Sequence, residues 1–567
     1  MLSVLTHLSL LAAVATSPQD PKALLEVLPL QHACGWHSGI VPPPWGSLLT
    51  RTEAGDRPDL LGTLTDGRYL DPDSAAELLR RLHADAVEGG TLHLEMQNDS
   101  LFAFGDEGEV ARVRDEVRDL SAIVLRPLEV EVTLWEAGAD EAPPAVIAPE
   151  DWKAFASTRV AVWHSRSETQ SARPVALDQQ RWTRYLRDVA CEVAQKQSVS
   201  VPITDAFCEG GRVVVTPHTL VGGDDIVLHL QFGIGHRRGT VRTVPTGVPG
   251  QTDLELPLLE TIYGACSGRV TNGGALAITL RGSPSSGGQS VLTVRVSSRT
   301  PPATPALGGL AVLPCSALTS DALSQRLGPP PASPAEGDQD PTSPTNDDIG
   351  AGFGHIESDV LQDLLRTSLG SDAERADFEM FVAGGHLFAL APEPVRTRLA
   401  AMLLGLQERM LRTVTVRQSC RLVGADADRS SVHEIVLPTL LGREATVGRT
   451  LETNVIRELY VEIAQEASVH DPVVACLQVG NWLRVRAAPE GARMHVQLLT
   501  QCTQATPPQL RSAVPSGGNL MPTDVASVRV QHDGPATNGQ ALEHGDGPPV
   551  LLDGRPMRST LDTTIRW

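Results

Sequence analysis

Hydrophobic positions in this 567-residue chain follow two alternating spacings, and each marks a stretch of one kind of element. Ser74 followed by Glu77 is a capping-box signature, and Ala75, Leu78, Leu79 and Leu82 then recur at helical spacing, which predicts a first helix. "TLHLEMQ" alternates with period two, Asn98-Asp99 supplies a turn and "SLFAFG" returns, which predicts a hairpin. Val110, Val113, Val117 and Leu120 place a second amphipathic helix, and "LEVEVTLWEA" is a strand again. The order α-β-β-α-β predicts two helices covering one face of a small sheet. Beyond this unit the pattern is almost all strand. "RVAVWHS", "SVSVPIT", "GRVVVTP", "DIVLHLQFGIG", "GTVRTVP", "DLELPLLET" and "GALAITLRG" lie between Gly, Pro and Asp turns, interrupted by one helical stretch over residues 178 to 195. Such lengths and turn spacings predict antiparallel pairing.

The pattern is written twice. At an offset of 286 positions, Leu78-Leu79-Arg80 falls on Leu364-Leu365-Arg366 and Leu101-Phe102-Ala103 on Leu387-Phe388-Ala389. The same offset carries Val113, Val117 and Leu120 onto Leu399, Leu403 and Leu406. Further on the offset is 270, and residues 192 to 215 share eight identities in twenty-four with residues 462 to 485. The first copy therefore holds 16 extra residues, placed near "DEAPPAVIAPEDW". The second copy repeats the strand theme with "HEIVLPTLL", "WLRVRAA", "RMHVQLLT" and "VASVRVQ". Residues 299 to 352, as in "GPPPASPAEGDQDPTSPTNDD", bury too little apolar surface to offset ordering entropy and read as a linker. The division is 1–15 a candidate signal peptide, 16–66 irregular, 67–137 the first small unit and 138–298 the first β-rich core. After the linker at 299–352 come 353–423 as the second small unit, 424–555 as the second core and 556–567 as a tail. The fold class is α+β.

Three stretches carry a family likeness. They are the small unit ending in "LRPLEVEVTLWEA", the segment "GGRVVVTPHTLVGGDDIVLHLQF", and "DLELPLLETIYGACSGRVTNGGALAITLRG" with Asn272-Gly273-Gly274 in its turn. They resemble, in order, an N-domain, a core stretch and the closing hairpin of the secretin superfamily, the ring-forming proteins of bacterial type II and type III secretion. The likeness covers most of residues 68 to 282 and, more faintly, 355 to 555, where "VASVRVQ" and "GDGPPVLLDG" stand at the corresponding end. Secretins carry one core after several N-domains, whereas here the core is duplicated. The resemblance implies a non-enzymatic exported envelope protein, periplasmic or outer-membrane associated, that forms or supports a homo-oligomeric ring in protein secretion or transport. Its partners would be copies of itself and other envelope or secretion components. The alternative is a soluble periplasmic binding or adaptor scaffold without a pore.

Composition narrows this further. With 47 basic against 68 acidic side chains and a net charge of -21, the chain has no surplus cation to neutralise phosphate, which argues against nucleic acid as a partner. Beyond position fifteen no apolar run reaches the roughly 20 residues of a membrane-spanning helix. Aromatic residues make up 4%, thin for the girdles of a lipid-facing barrel. Leu2 to Val14 with Ala13-Val14-Ala15 reads as an export signal, the other reading being an apolar terminus or short first helix. The eight cysteines are an even number compatible with oxidation, and none forms a C-x-x-C pair.

Motifs that could carry chemistry each have a plainer structural reading. His433-Glu434 begins like a zincin H-E-x-x-H, but Leu437 stands where the second ligand belongs, so it reads as an ordinary strand pair. Gly233, Gly235 and Gly239 are spaced like a loose phosphate loop, yet no Lys-Ser/Thr follows, and a turn is the better reading. Trp45, Trp152, Trp163, Trp182 and Trp482 read as core or interface anchors, and Glu192-Ala194-Gln195 with Glu462-Ala464-Gln465 as structural contacts at a helix end. "LDTTIRW", with Leu561, Ile565 and Trp567 alternating, resembles the aromatic-terminated strand of outer-membrane barrels. No catalytic, cofactor-binding or metal-ligating residue is assigned, and no cofactor is expected.

Overall fold

The structure is a computed structural model. It describes residues 23–29, 36–40, 64–68, 72–97, 100–124, 126–137, 142–194, 197–246, 253–282, 289–298, 309–319, 356–424, 431–464, 467–490, 493–505, 511–512, 519–521, 525–546, 550–552 and 555–567. The candidate signal peptide lies outside the described residues.

The first small unit comprises β1 (Ala23–Pro29), α1 (Pro72–Leu82), β2 (Leu92–Gln97), β3 (Ser100–Asp106) and α2 (Glu107–Val124). Its sheet runs β1-β3-β2, all antiparallel. Helical spacing sets Val110, Val113, Val117 and Leu120 against Leu92, Leu94 and Leu101 in one cluster. The expected third strand is elsewhere. "LEVEVTLWEA" belongs to β4 (Pro127–Ala137), which leaves the small sheet because Val130, Val132 and Leu134 reach the main core instead. Its place is taken by β1, drawn from the stretch read as irregular. The second unit repeats this with β12 (Leu310–Pro314), α3 (Ser358–Leu369), β13 (Glu379–Ala383), β14 (His386–Leu390) and α4 (Glu393–Met410). Here β12 and a turn of helix at Ser316–Thr319 come from the stretch read as linker.

The rest of the first copy is β5 (Val160–Gln170), β6 (Val175–Ala194), β7 (Gln197–Thr219), β8 (Asp225–Arg237), β9 (Leu258–Thr271), β10 (Ala275–Arg281) and β11 (Gln289–Ser298). The second copy supplies β15 (Thr413–Gly424), β16 (Ser431–Leu440), β17 (Glu444–Ala464), β18 (Ala467–Glu490), β19 (Arg493–Ala505), β20 (Val525–Ala536), β21 (Ala541–Asp546) and β22 (Arg555–Arg566). These strands build two large antiparallel sheets rather than two separate cores. The eight-stranded sheet runs β20-β19-β18-β17-β9-β8-β7-β6, and the main path of the ten-stranded one β21-β22-β15-β16-β10-β11-β4-β5. Each sheet is four strands of one copy followed by their four counterparts from the other. The sheets stack face to face over a shared core that includes Val130, Phe232, Ile278, Val416, Leu483 and Ile565.

The repeat is kept down to single residues. In pairing with β7, strand β6 skips Arg187, and in pairing with β18, strand β17 skips its counterpart Arg457, so the same bulge recurs. Gly210 and Gly480 occupy equivalent positions at φ 106° and 157°, and a Cβ on either would come within 2.0 Å of the opposing carbonyl oxygen, of Gln179 or Arg449. The extra residues of the first copy form the loop between β4 and β5, including a short helix, Pro149–Ser157.

Two further expectations change. The helix over 178 to 195 is the strand β6, paired along its length with β7. Trp182, Tyr185, Leu186 and Val189 mimic helical spacing because the Arg187 bulge shifts the alternation midway. Ala194 and Ala464 consequently end strands in hairpins rather than helices. The tail is β22, an interior strand between β15 and β21 whose alternation buries Leu561 and Ile565.

Candidate functional site

The copies meet where β9 pairs with β17, from Leu258 opposite Thr453 to Ala265 opposite Thr446. In the other sheet β10 pairs with β16, setting Arg281 opposite Glu434. Both strands of the joint are central, so their polar residues are buried by position. Glu260, 2% exposed, accepts hydrogen bonds from Arg449 and Arg238. Arg449 also donates to the Leu280 carbonyl oxygen at 3.1 Å, so one guanidinium ties β17 to both sheets of the first copy. Glu434 accepts from Arg417 Nε at 2.5 Å and lies 3.8 Å from Arg281. Tyr263 packs over Gly448, where a Cβ would come 2.5 Å from its ring. Beside these groups is a small cleft lined by Glu260, His433, Arg449, Thr450, Leu451 and Thr503. Burial and the Arg449 charge push the His433 imidazole down to about 4, so it is neutral at pH 7.

A second buried cluster docks the second small unit on the body. His218 Nδ1 is 2.8 Å from Ser316 Oγ, and the His218 and His229 rings meet edge to face at 4.8 Å. Arg443 lies 3.3 Å from His229 and donates to the Ala317 carbonyl oxygen at 2.7 Å. Gln407 of α4 completes the clamp, donating to Pro314 O at 2.7 Å and accepting from the Val221 amide at 3.0 Å. Burial first, then the Arg443 charge, pushes His218 down to about 3, and His229 is lowered well below its ordinary value.

What these arrangements do chemically is lock strands together. Among the described residues no group of three His, Cys, Asp or Glu is placed to hold a metal ion. His433 and Glu434, read as ordinary strand residues, do lie on a strand, and both sit at the joint. Gly233 and Gly235, read as part of a turn, are strand residues of β8, and Gly239 sits in the bend that follows. Trp152 stacks on Phe155 at 5.6 Å, Trp163 and Trp482 are buried, and Trp182 is exposed on β6. Cys208, Cys266, Cys315, Cys420 and Cys502 are buried free thiols. Trp45 and Cys34 lie outside the described residues. Sequence reasoning missed Glu260 and Arg449, whose signal was a charged residue inside a strand buried on both faces, and Arg443, which lies in the turn between β16 and β17.

Neither a protein-family model nor a curated protein matches the sequence. The structure is remotely similar to several solved secretins. The InvG secretin domain β-barrel from the Salmonella SPI-1 injectisome shares 14% identity over 50% of this chain and 90% of that one, at a TM-score of 0.21. The Vibrio cholerae type IV competence pilus secretin PilQ shares 12% over 52% of this chain and 80% of that one, at 0.18. The type II secretion system secretin GspD of E. coli K12 shares 8% over 96% and 89%, at 0.17.

Proposed function

We propose that this chain is a non-enzymatic scaffold or adaptor of the bacterial envelope, working from the periplasm in protein secretion or transport and forming no pore by itself. The observation that carries this is the joint: two copies of one unit share both large sheets, so the chain is a single two-layered wall. Among the described residues its sheets run from one free edge to another and neither closes. The small α/β units, in the place of the N-domains that the sequence resembles, sit on this wall as docking modules. A ring-forming reading is favoured by one feature, the free strand edges at both ends, which closure would remove. Fractionation and vesicle leakage separate the readings. The scaffold reading expects recovery without detergent and no dye release from anionic vesicles, and detergent-dependent recovery together with release overturns it.

A further inference from the structure

We propose that Cys420 of β15 and Cys502 of β19 are joined by a disulfide when the chain folds in an oxidising compartment, a covalent staple between the two large sheets. β15 belongs to the ten-stranded sheet and β19 to the eight-stranded one. Cys420 and Cys502 are both buried, and with Leu561 they form a small cluster of their own, flanked by Val528 and Val530. A thiol–thiol hydrogen bond joins them across the layers. As free thiols they are the reduced form of the bond. Among the other cysteines whose side chains the structure describes, Cys208, Cys266 and Cys315 lie in three different clusters, each without a second cysteine.

The pair stands where the apolar packing between the sheets runs out. Every second residue of β15 from Val414 to Cys420 is buried, as is every second residue of β19 from Met494 to Cys502. Val414, Val416, Val496 and Leu498 on these rows belong to the main core, then come the polar Gln418 and Thr500, and the cysteines are last. The first copy is built differently at the same place. Gly235 lies opposite Gly210 as Thr503 lies opposite Gly480, so Ile234 matches Cys502, and the offset of 286 matches Leu134 to Cys420. Leu134 and Ile234 are both members of the main core. The second copy thus carries two small thiols where the first carries two larger apolar side chains, and a bond between the thiols holds the sheets where packing is thinner.

The oxidant is a disulfide-bearing compound or protein, the class that an oxidising compartment supplies. One cysteine thiolate attacks it, releasing one thiol and leaving a mixed disulfide. The second thiolate then attacks the cysteine sulfur of that bond and releases the other thiol. In sum, two electrons and two protons pass from the cysteines to the oxidant. In the folded sandwich this exchange is slow, because the hydrogen bond with Cys420 and burial raise the Cys502 pKa well above its ordinary value and both side chains are out of solvent. The bond therefore forms while the second copy is folding, and folding afterwards shields it from reductants. Only the oxidising compartment is taken from the scaffold reading.

Refolding of the full chain, first reduced and unfolded in urea, in a mixture of oxidised and reduced glutathione tests the bond. Peptide mass mapping without reductant is expected to find a cross-linked pair holding Cys420 and Cys502, which dithiothreitol separates. The oxidised wild type is expected to unfold at a higher urea concentration than the reduced wild type. That gap narrows in the double variant Cys420→Leu with Cys502→Ile, which restores the first-copy residues, and in Cys502→Ala, which needs no extra space. Free Cys420 and Cys502 after refolding, either one bonded to a different cysteine, or a gap as wide in the variants as in the wild type overturns the proposal. Glutathione is provided in the tube, so the result is independent of where the chain resides and of the detergent and leakage readouts.

Discussion

Glu260→Gln removes the carboxylate at the centre of the internal joint while keeping its shape. Arg449, whose side chain is 6% exposed, then keeps the Leu280 carbonyl but loses the carboxylate it is paired with. Burial already lowers the Arg449 pKa, with Glu260 and, less strongly, Glu136 opposing that shift, so the substitution strips a cation in a dry site of its main counterion. Breaking a buried pair in this way costs about 3–5 kcal/mol. Arg238, 21% exposed, turns to water and adds little to that cost. Replacing both partners, Glu260→Leu with Arg449→Leu, removes the charge along with its counterion and costs much less than the single change. The assay is urea unfolding of the full chain, with hydrogen exchange of the β9 and β17 amides reading the joint itself. A single variant that loses under about 1 kcal/mol, or a double variant that loses the sum of the two singles, refutes the argument that ions lock the copies together.

Two further outcomes follow from the repeat and from the buried histidines. Gly210→Ala and Gly480→Ala each force a Cβ to within 2.0 Å of a backbone oxygen, and thermal unfolding is expected to show similar losses, about 1–3 kcal/mol, in both copies; one tolerated and one disruptive substitution would contradict the equivalence. His218 has a folded pKa of about 3 against 6.5 when free, so the unfolded chain binds the extra proton between those values. Docking of the second small unit is therefore complete above about pH 6.5 and weakens as pH falls toward 3, by about 1.4 kcal/mol per pH unit for this group. Exchange of the residue 310–319 amides across that window reads the change, and His218→Gln should reduce it, His229 supplying the remainder, while keeping a partner for Ser316.

Amphipathic helices were the most legible part of the chain, because Val110, Val113, Val117 and Leu120 bury one face at a spacing no strand shares. Short alternating strands were legible for the same reason. The long hairpins were not. Arg187 breaks the period of β6 at a bulge, and a broken period two can satisfy a helical count over one or two turns. Strands β1 and β12 were lost in polar, Pro-rich surroundings, since each is half-buried and borrows its order from β3 or β14. The duplication was visible in the sequence, but the sharing of sheets was not: pairing of Leu258 with Thr453 joins residues far apart, and no local pattern encodes it.

The internal joint differs in chemistry from the equivalent positions at the free ends of the two large sheets. Inside, Glu260 and Arg449 form a buried ion pair, and Tyr263 fills the notch over Gly448. At the free ends the positions equivalent to Glu260 and Arg449 hold Ala526 and Gln179, so the ion pair of the internal joint has no counterpart there. A covalently tethered joint has its partner at high effective concentration and can bear the desolvation of a buried ion pair. Fusing two units into one chain thus makes this buried contact permanent.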